Sequence, residues 1–221
     1  MKRMPAHPVI AVDGPAASGK STFSRALARR LGFSYVSTGE MYRGVTWYVQ
    51  QQGVDPHDTA AVERLIAATV FETSLRDGTL AYLIGGVDPL PHGRDGRVNE
   101  GVSYIARISA VRRLLVAQQQ GLAAHAPLVM EGRDIGTVVF PATPYKFYID
   151  ANPEVRAGRR AAQGEHDAIL QRDALDTQRV DSPLLRAADA TKLDSGRHGV
   201  EELVAQALEH LAARGLVIER R

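Results

Sequence analysis

Gly14-Pro15-Ala16-Ala17-Ser18-Gly19-Lys20-Ser21 fits the pattern G-x-x-x-x-G-K-[ST] at every fixed position, and its surroundings decide the fold. Before it, Val9-Ile10-Ala11-Val12 is an unbroken apolar run of strand length. After it, Phe23, Ala26, Leu27 and Leu31 recur at helical spacing, and Gly32 stands where a glycine closes a helix. Strand, glycine loop and helix make an anion-binding corner. Glycines let backbone N–H groups turn inward, and the helix N-terminus adds partial positive charge at the same point. Lys20 is placed to reach the β- and γ-phosphates of a nucleotide, and the Ser21 hydroxyl to reach Mg²⁺.

A chain of 221 residues suffices for one domain with inserts and a full core. With 44% hydrophobic and 24% charged residues, the composition is that of a soluble globular protein. A net charge of +2 gives no global pull toward nucleic acid or an anionic membrane. The absence of cysteine excludes disulfides and thiolate metal sites. No stretch approaches the length of a membrane span, so the expectation is a cytoplasmic enzyme. The basic residues are mostly arginine, with lysine only at Lys2, Lys20, Lys146 and Lys192. Arginine suits bidentate phosphate recognition.

Phe33 to Ser37 reads as a second strand, and Thr38 as the N-cap of a helix to about Gln52. A helix from about Thr59 to Ala68 follows, then two strands, Val70–Leu75 and Thr79–Ile84, around Arg76-Asp77-Gly78. A helical region spans about Asn99 to Ala124 in two pieces, so residues 55–108 form an insert between core strands. Pro127 to Glu131 and Tyr145 to Asp150 are further buried strands. Helices are expected from Pro153 to Ala162 and from Ala168 to Arg179, with a loop at Gln163-Gly164-Glu165-His166. Val200, Leu203, Val204, Ala207, Leu208 and Leu211 line one face of a last helix, and Leu216-Val217-Ile218 reads as a final strand. Strands alternating with helices imply an α/β fold of three layers around a parallel sheet, with ligands beyond the carboxyl ends of the strands.

Charged residues gather at those ends. Gly132-Arg133-Asp134 follows a buried strand directly. Arg43, Arg133 and Arg179 recur near elements flanking the loop, although surface arginines are also common. As a set they suit phosphoryl transfer, which needs positioning and charge neutralisation more than covalent help. Asp13 precedes the loop and either supports a Mg²⁺-bound water or caps nearby N–H groups. The seven histidines show no metal-ligand spacing and read as surface residues. Tyr35, Tyr42, Trp47 and Tyr48 read as core and pocket wall. A guanine-reading N-K-x-D motif is absent, which argues against a nucleotide-dependent switch.

These motifs together resemble the bacterial cytidylate kinase family, over about Val9 to Val204. The carrying stretches are Asp13 to Thr22, Ser37 to Arg43, Glu131 to Pro141, Arg156 to Arg160, and the late run Arg172-Asp173, Asp176, Arg179, Ser182-Pro183-Leu184. The resemblance implies a P-loop fold with an enlarged monophosphate-binding insert at 55–108 and a short lid at 157–172, transferring the γ-phosphoryl group of ATP to CMP or dCMP with Mg²⁺. By matching positions, Gly14, Pro15, Ala16, Ala17, Ser18, Gly19, Lys20, Ser21 and Thr22 bind ATP, with Ser21 on Mg²⁺. Thr38, Arg43, Ser103, Arg112, Arg133, Asp134, Arg172, Asp176 and Arg179 bind the acceptor, and Lys20, Arg133, Arg156 and Arg159 are the catalytic set. Arg160 joins Arg156 and Arg159 over the phosphates from the lid side. Glu40 departs from the family's pattern, standing where a small residue is usual. The expected partners are these small nucleotides alone, without nucleic acid or membrane, on a monomer.

Overall fold

The computed structural model describes residues 6–93, 95–162, 169–179 and 181–217, with side chains of the 169–177 helix described from Asp173 onward. Strand β1 (Val9–Asp13) is buried along its whole length. Its alternation divides two cores: Val9 and Ala11 face one side of the sheet, Ile10 and Val12 the other. Helix α1 (Lys20–Leu31) opens directly from the glycine loop and ends on Gly32, whose left-handed backbone (φ 68°) suits glycine. Strand β2 (Ser34–Ser37) runs without a turn into helix α2 (Thr38–Gln51). The expected cap at Thr38 is therefore corrected: Ser37 is the N-cap, with no side-chain cap bond, and the Thr38 hydroxyl donates instead to the Glu131 carbonyl at 3.0 Å.

Helix α3 (Thr59–Ala67) is capped by Asp58, which accepts from Ala61 N–H at 2.9 Å. Strands β3 (Phe71–Arg76) and β4 (Thr79–Ile84) form the expected antiparallel hairpin. Helices α4 (Gly96–Ile105) and α5 (Ser109–Leu122) are the two pieces of the following helical region. Strand β5 (Leu128–Gly132) leads into a π-helical turn, Ile135–Val139, then β6 (Lys146–Asp150), α6 (Pro153–Ala162) and α7 (Ile169–Thr177). The Gln163–His166 loop lies outside the described residues. Strand β7 (Thr191–Asp194) and helix α8 (Val200–Ala213) follow.

Among the described residues, seven strands form one sheet in the order β3-β4-β2-β5-β1-β6-β7, parallel throughout except for β3. The hairpin within residues 55–108 joins this sheet through the pairing of Thr79 with Tyr35. Helices α2 to α5 cover one face through Val45, Val62, Val102 and Leu115, and α1 and α8 cover the other through Leu27, Leu203 and Leu211. Leu216 and Val217 are not a strand. Gly215 (φ 80°) closes α8, Leu216 N–H bonds back to Leu211 O at 3.0 Å, and the Leu216 side chain packs into the core.

Leu27 is completely buried on α1, whereas Arg29 on the same helix is exposed. Leu27→Ala is expected to cost about 2–5 kcal/mol, and Arg29→Ala less than about 0.5 kcal/mol, in urea unfolding.

Candidate active site

Two loops leave neighbouring strands at the same sheet edge. The first is the glycine loop. An added Cβ at Gly14 would stand 2.1 Å from the Ile149 carbonyl oxygen, so only glycine passes there. Gly19 has φ 83°, again a glycine conformation. Lys20 is 7% exposed and donates from Nζ to Pro15 O at 3.0 Å, so it lies folded over the loop. The loop already holds one anionic oxygen: Asp173 Oδ1 accepts from Ala16 N–H at 3.2 Å.

The second loop is Gly132-Arg133-Asp134. Asp134 accepts from Arg112 Nη2 at 2.6 Å, with both side chains buried. Asp176 accepts from Arg133 Nε at 2.8 Å and also from Arg179, tying α7 to the loop. The Arg112 guanidinium sits 5.4 Å above the Tyr42 ring. Arg43, one turn into α2, passes so close to Gly39 that an added Cβ there would meet its Nη1 at 3.2 Å.

Glu131, at the end of β5, connects the two loops. Its Oε1 accepts from Ser21 at 2.8 Å, Ser37 at 2.8 Å and Tyr35 at 3.2 Å. Burial alone would raise its pKa, but the Lys20 ammonium and the Ser37 and Ser21 hydroxyls outweigh that and hold the carboxyl below its ordinary value. Asp13 takes the capping alternative: its two oxygens accept from Ile135 and Gly136 N–H, each at 2.8 Å. Burial lifts its pKa to about 7 against the pull of those two donors.

A cleft of about 1020 Å³ joins the loops. Of the residues expected from the sequence, Ala16 to Thr22 line it from the glycine loop, and Arg159 from α6. Thr38, Arg43, Ser103, Arg112, Arg133, Asp134, Asp176 and Arg179 line the rest. Gly14 and Pro15, also expected from the sequence, do not line it. Arg156 stands apart: its guanidinium donates to Ala16 O at 3.2 Å and Ala151 O at 3.1 Å and pairs with Asp173, beneath the loop. Arg159 donates to Ser195 O at 2.6 Å and Ser195 Oγ at 3.0 Å. The Arg172 side chain lies outside the described residues. Glu40 meets Arg25 at 3.4 Å on the cleft rim, with 40% of its side chain exposed.

Sequence reading gave Glu131, Asp173 and Ser195 no role. The available signal for Glu131 was an acid closing a buried strand immediately before Gly132-Arg133-Asp134. Asp173 lies in the Arg172-Asp173 run, but neither it nor Ser195 signals its contact with the glycine loop, because each meets the loop only through the tertiary fold. No cluster of three or more His, Cys, Asp or Glu suited to a metal occurs among the described residues, and none of their helices is long and apolar enough to cross a membrane.

A mostly parallel sheet in this order, a glycine loop opening a helix from the interior strand β1, and an arginine-lined pocket at the same edge define a P-loop protein. The cytidylate kinase family model matches residues 10–213, and the chain belongs to that family. It is 40% identical over 222 residues to a cytidylate kinase of Pelotomaculum thermopropionicum, covering 95% of this chain and 98% of the relative. It is 41% identical over 219 residues to a cytidylate kinase of Solibacter usitatus, covering 93% of each. It is also 43% identical over 217 residues to a bifunctional pantoate ligase/cytidylate kinase of Synechococcus sp. (strain WH7803), covering 92% of this chain but only 44% of that protein. The chain therefore spans less than half the length of the bifunctional relatives it matches. A gluconokinase structure from Sinorhizobium meliloti shares the fold, with TM-score 0.50 and 15% identity, covering 96% of this chain and 95% of that one.

Glu131 carries a pH signature. Because its folded pKa is lowered, the stability it contributes is present above about pH 4.5 and is lost as pH falls through the folded value. Urea midpoints measured from pH 7 down to pH 3 are expected to fall less steeply for Glu131→Gln than for the wild type.

Proposed function

We propose that the protein transfers the γ-phosphoryl group of ATP to CMP or dCMP, releasing ADP and CDP or dCDP. The observation that carries this reading is the meeting of two anion-binding constellations in one cleft, the glycine loop with Lys20 on one side and Arg43, Arg133 and Arg179 on the other. Such an arrangement brings two phosphorylated substrates together and neutralises the charge that spreads over the transferred group. In this reading residues 55–108 carry the acceptor and residues 157–172 form the lid, with Arg159 reaching the loop from α6.

The residues beside the loop fit a hard cation. The Ser21 hydroxyl touches a buried carboxylate held in its ionised form, an oxygen donor set suited to Mg²⁺. Ser21 and Glu131 would hold the ion, directly or through water, and when bound it supplies positive charge to the donor phosphates. The chain's own residues do the remainder. Loop N–H groups and Lys20 fix the donor, Arg43 and Arg133 fix the acceptor phosphate, and Thr38 and Ser103 line its pocket.

Acceptor choice rests on hydrogen-bond polarity. Cytosine presents an amino donor at position 4 and an acceptor at ring position 3, and uracil reverses both. A carboxylate only accepts and a guanidinium only donates. The Arg112–Asp134 pair presents one of each, side by side and buried. Uracil would set a carbonyl against Asp134, and each such mismatch costs roughly 1–3 kcal/mol.

An ADP-release assay with CMP, dCMP, UMP and AMP tests the reading. CMP is expected to exceed UMP in kcat/KM by about tenfold to several hundredfold, and Asp134→Ala to lose most of that preference by harming CMP more. A wild-type preference for AMP or UMP would exclude the cytidylate assignment. Lys20→Ala is expected to lower kcat on the order of 10²-fold or more. A folded Lys20→Ala enzyme with near-normal turnover would remove Lys20 from the transition state.

A further inference from the structure

Asp13 is a buried acid that does not line the cleft, yet it touches the acceptor loop twice. Its backbone pairs with Gly132 in the parallel ladder between β1 and β5. Its side chain then reaches past the next two residues to take the N–H groups of Ile135 and Gly136 at 2.8 Å each. The two residues spanned in this way are Arg133 and Asp134. We infer that Asp13 is a positioning residue for acceptor recognition, strapping both ends of the segment that presents Arg133 and Asp134 to the cleft. The inference rests on the reading of that cleft as the acceptor site.

Three further features fit a strap rather than a general core acid. Asp134 O accepts from Val138 N–H at 2.8 Å and Val139 N–H at 3.2 Å, so the turn beyond the strap is itself closed on Asp134. Gly136 is enclosed: an added Cβ would stand 3.1 Å from Lys146 Cδ and 3.3 Å from Asp13 Oδ2. And the strap uses both side-chain oxygens of Asp13. Two N–H donors need two accepting oxygens; an amide offers one oxygen and turns its NH₂ against the second donor. Because Asp13 immediately precedes Gly14, the residue that sets the acceptor loop also begins the donor loop.

Steady-state constants for wild type, Asp13→Asn and Gly136→Ala test the inference, each with ATP and with CMP, UMP and AMP. The wild-type ranking of acceptors tests the cytidylate reading; the variants' departure from whichever ranking the wild type shows tests Asp13. Asp13→Asn is expected to raise KM for the preferred acceptor roughly tenfold and cut its advantage over the next acceptor several-fold, the scale of one lost buried hydrogen bond, with KM for ATP changed less than about twofold. Gly136→Ala, which crowds the same strap from the other side, is expected to shift the acceptor terms in the same direction by less. In the double variant Asp13→Asn/Asp134→Ala, discrimination should fall no further than in Asp134→Ala, because Asp13 acts through Asp134. Equal changes in the ATP and acceptor KM values with an unaltered acceptor ranking would overturn the inference, as would additive losses in the double variant. Should Asp13→Asn fail to fold, Gly136→Ala decides by the same split.

Discussion

The parallel pairing of β1 with β5 is the constraint on which the cleft depends. Its register sets Val12 beside Glu131 and Asp13 beside Gly132. The strands therefore end level, and the loops that leave them emerge side by side. One loop collects backbone N–H groups and a lysine; the other collects an arginine and an aspartate. Both strands are buried along their full length between two helical layers, so a one-residue slip would turn each core face over to the wrong layer. The packing energy of the core thus fixes the spacing of charged groups that could not hold it by themselves.

Those charges are arranged in contacts between opposite signs. Arg112 with Asp134, Arg133 and Arg179 with Asp176, and Arg156 with Asp173 are all at least partly withdrawn from water. Desolvation makes such pairs poor sources of stability, and removing one partner is costly because the other is left buried and alone. In the proposed reaction their value is preorganisation. Donors held in place by internal carboxylates need little rearrangement when phosphate oxygens arrive. The contact from Asp173 to the glycine loop follows the same logic, a side-chain oxygen meeting an N–H that suits an anion.

The legible parts of the chain were those governed by local rules. The glycine loop, the hairpin around Asp77-Gly78 and the periodic face of α8 each carry their signal within a few residues. The residues proposed to bind the acceptor were legible only through the family's motifs, because they come from α2, α4, α5, the loop after β5 and the region of α7 and just beyond it, and meet through the fold. What escaped reading depends on distant partners. Strand β7 was missed because it is short and buries only Leu193 among its four residues. Leu216-Val217-Ile218 carries a strand's composition, but Gly215 turns the chain so that Leu216 seals the end of α8. Thr38 has a cap's identity, but Ser37 holds the cap position and the Thr38 hydroxyl goes to a carbonyl of β5. For Asp13 the sequence left two roles open, and two N–H groups more than 120 residues away select between them.

In the proposed reaction donor and acceptor share the one continuous cleft at this sheet edge. A compound joining adenosine and cytidine through a chain of five phosphates spans both halves at once, and calorimetric titration reads its affinity and stoichiometry directly. The prediction is one molecule per chain, bound far more tightly than ATP or CMP alone, displacing both, and weakened by Lys20→Ala and by Asp134→Ala alike. An affinity no greater than that of ATP, with CMP still able to bind beside it, would contradict the account.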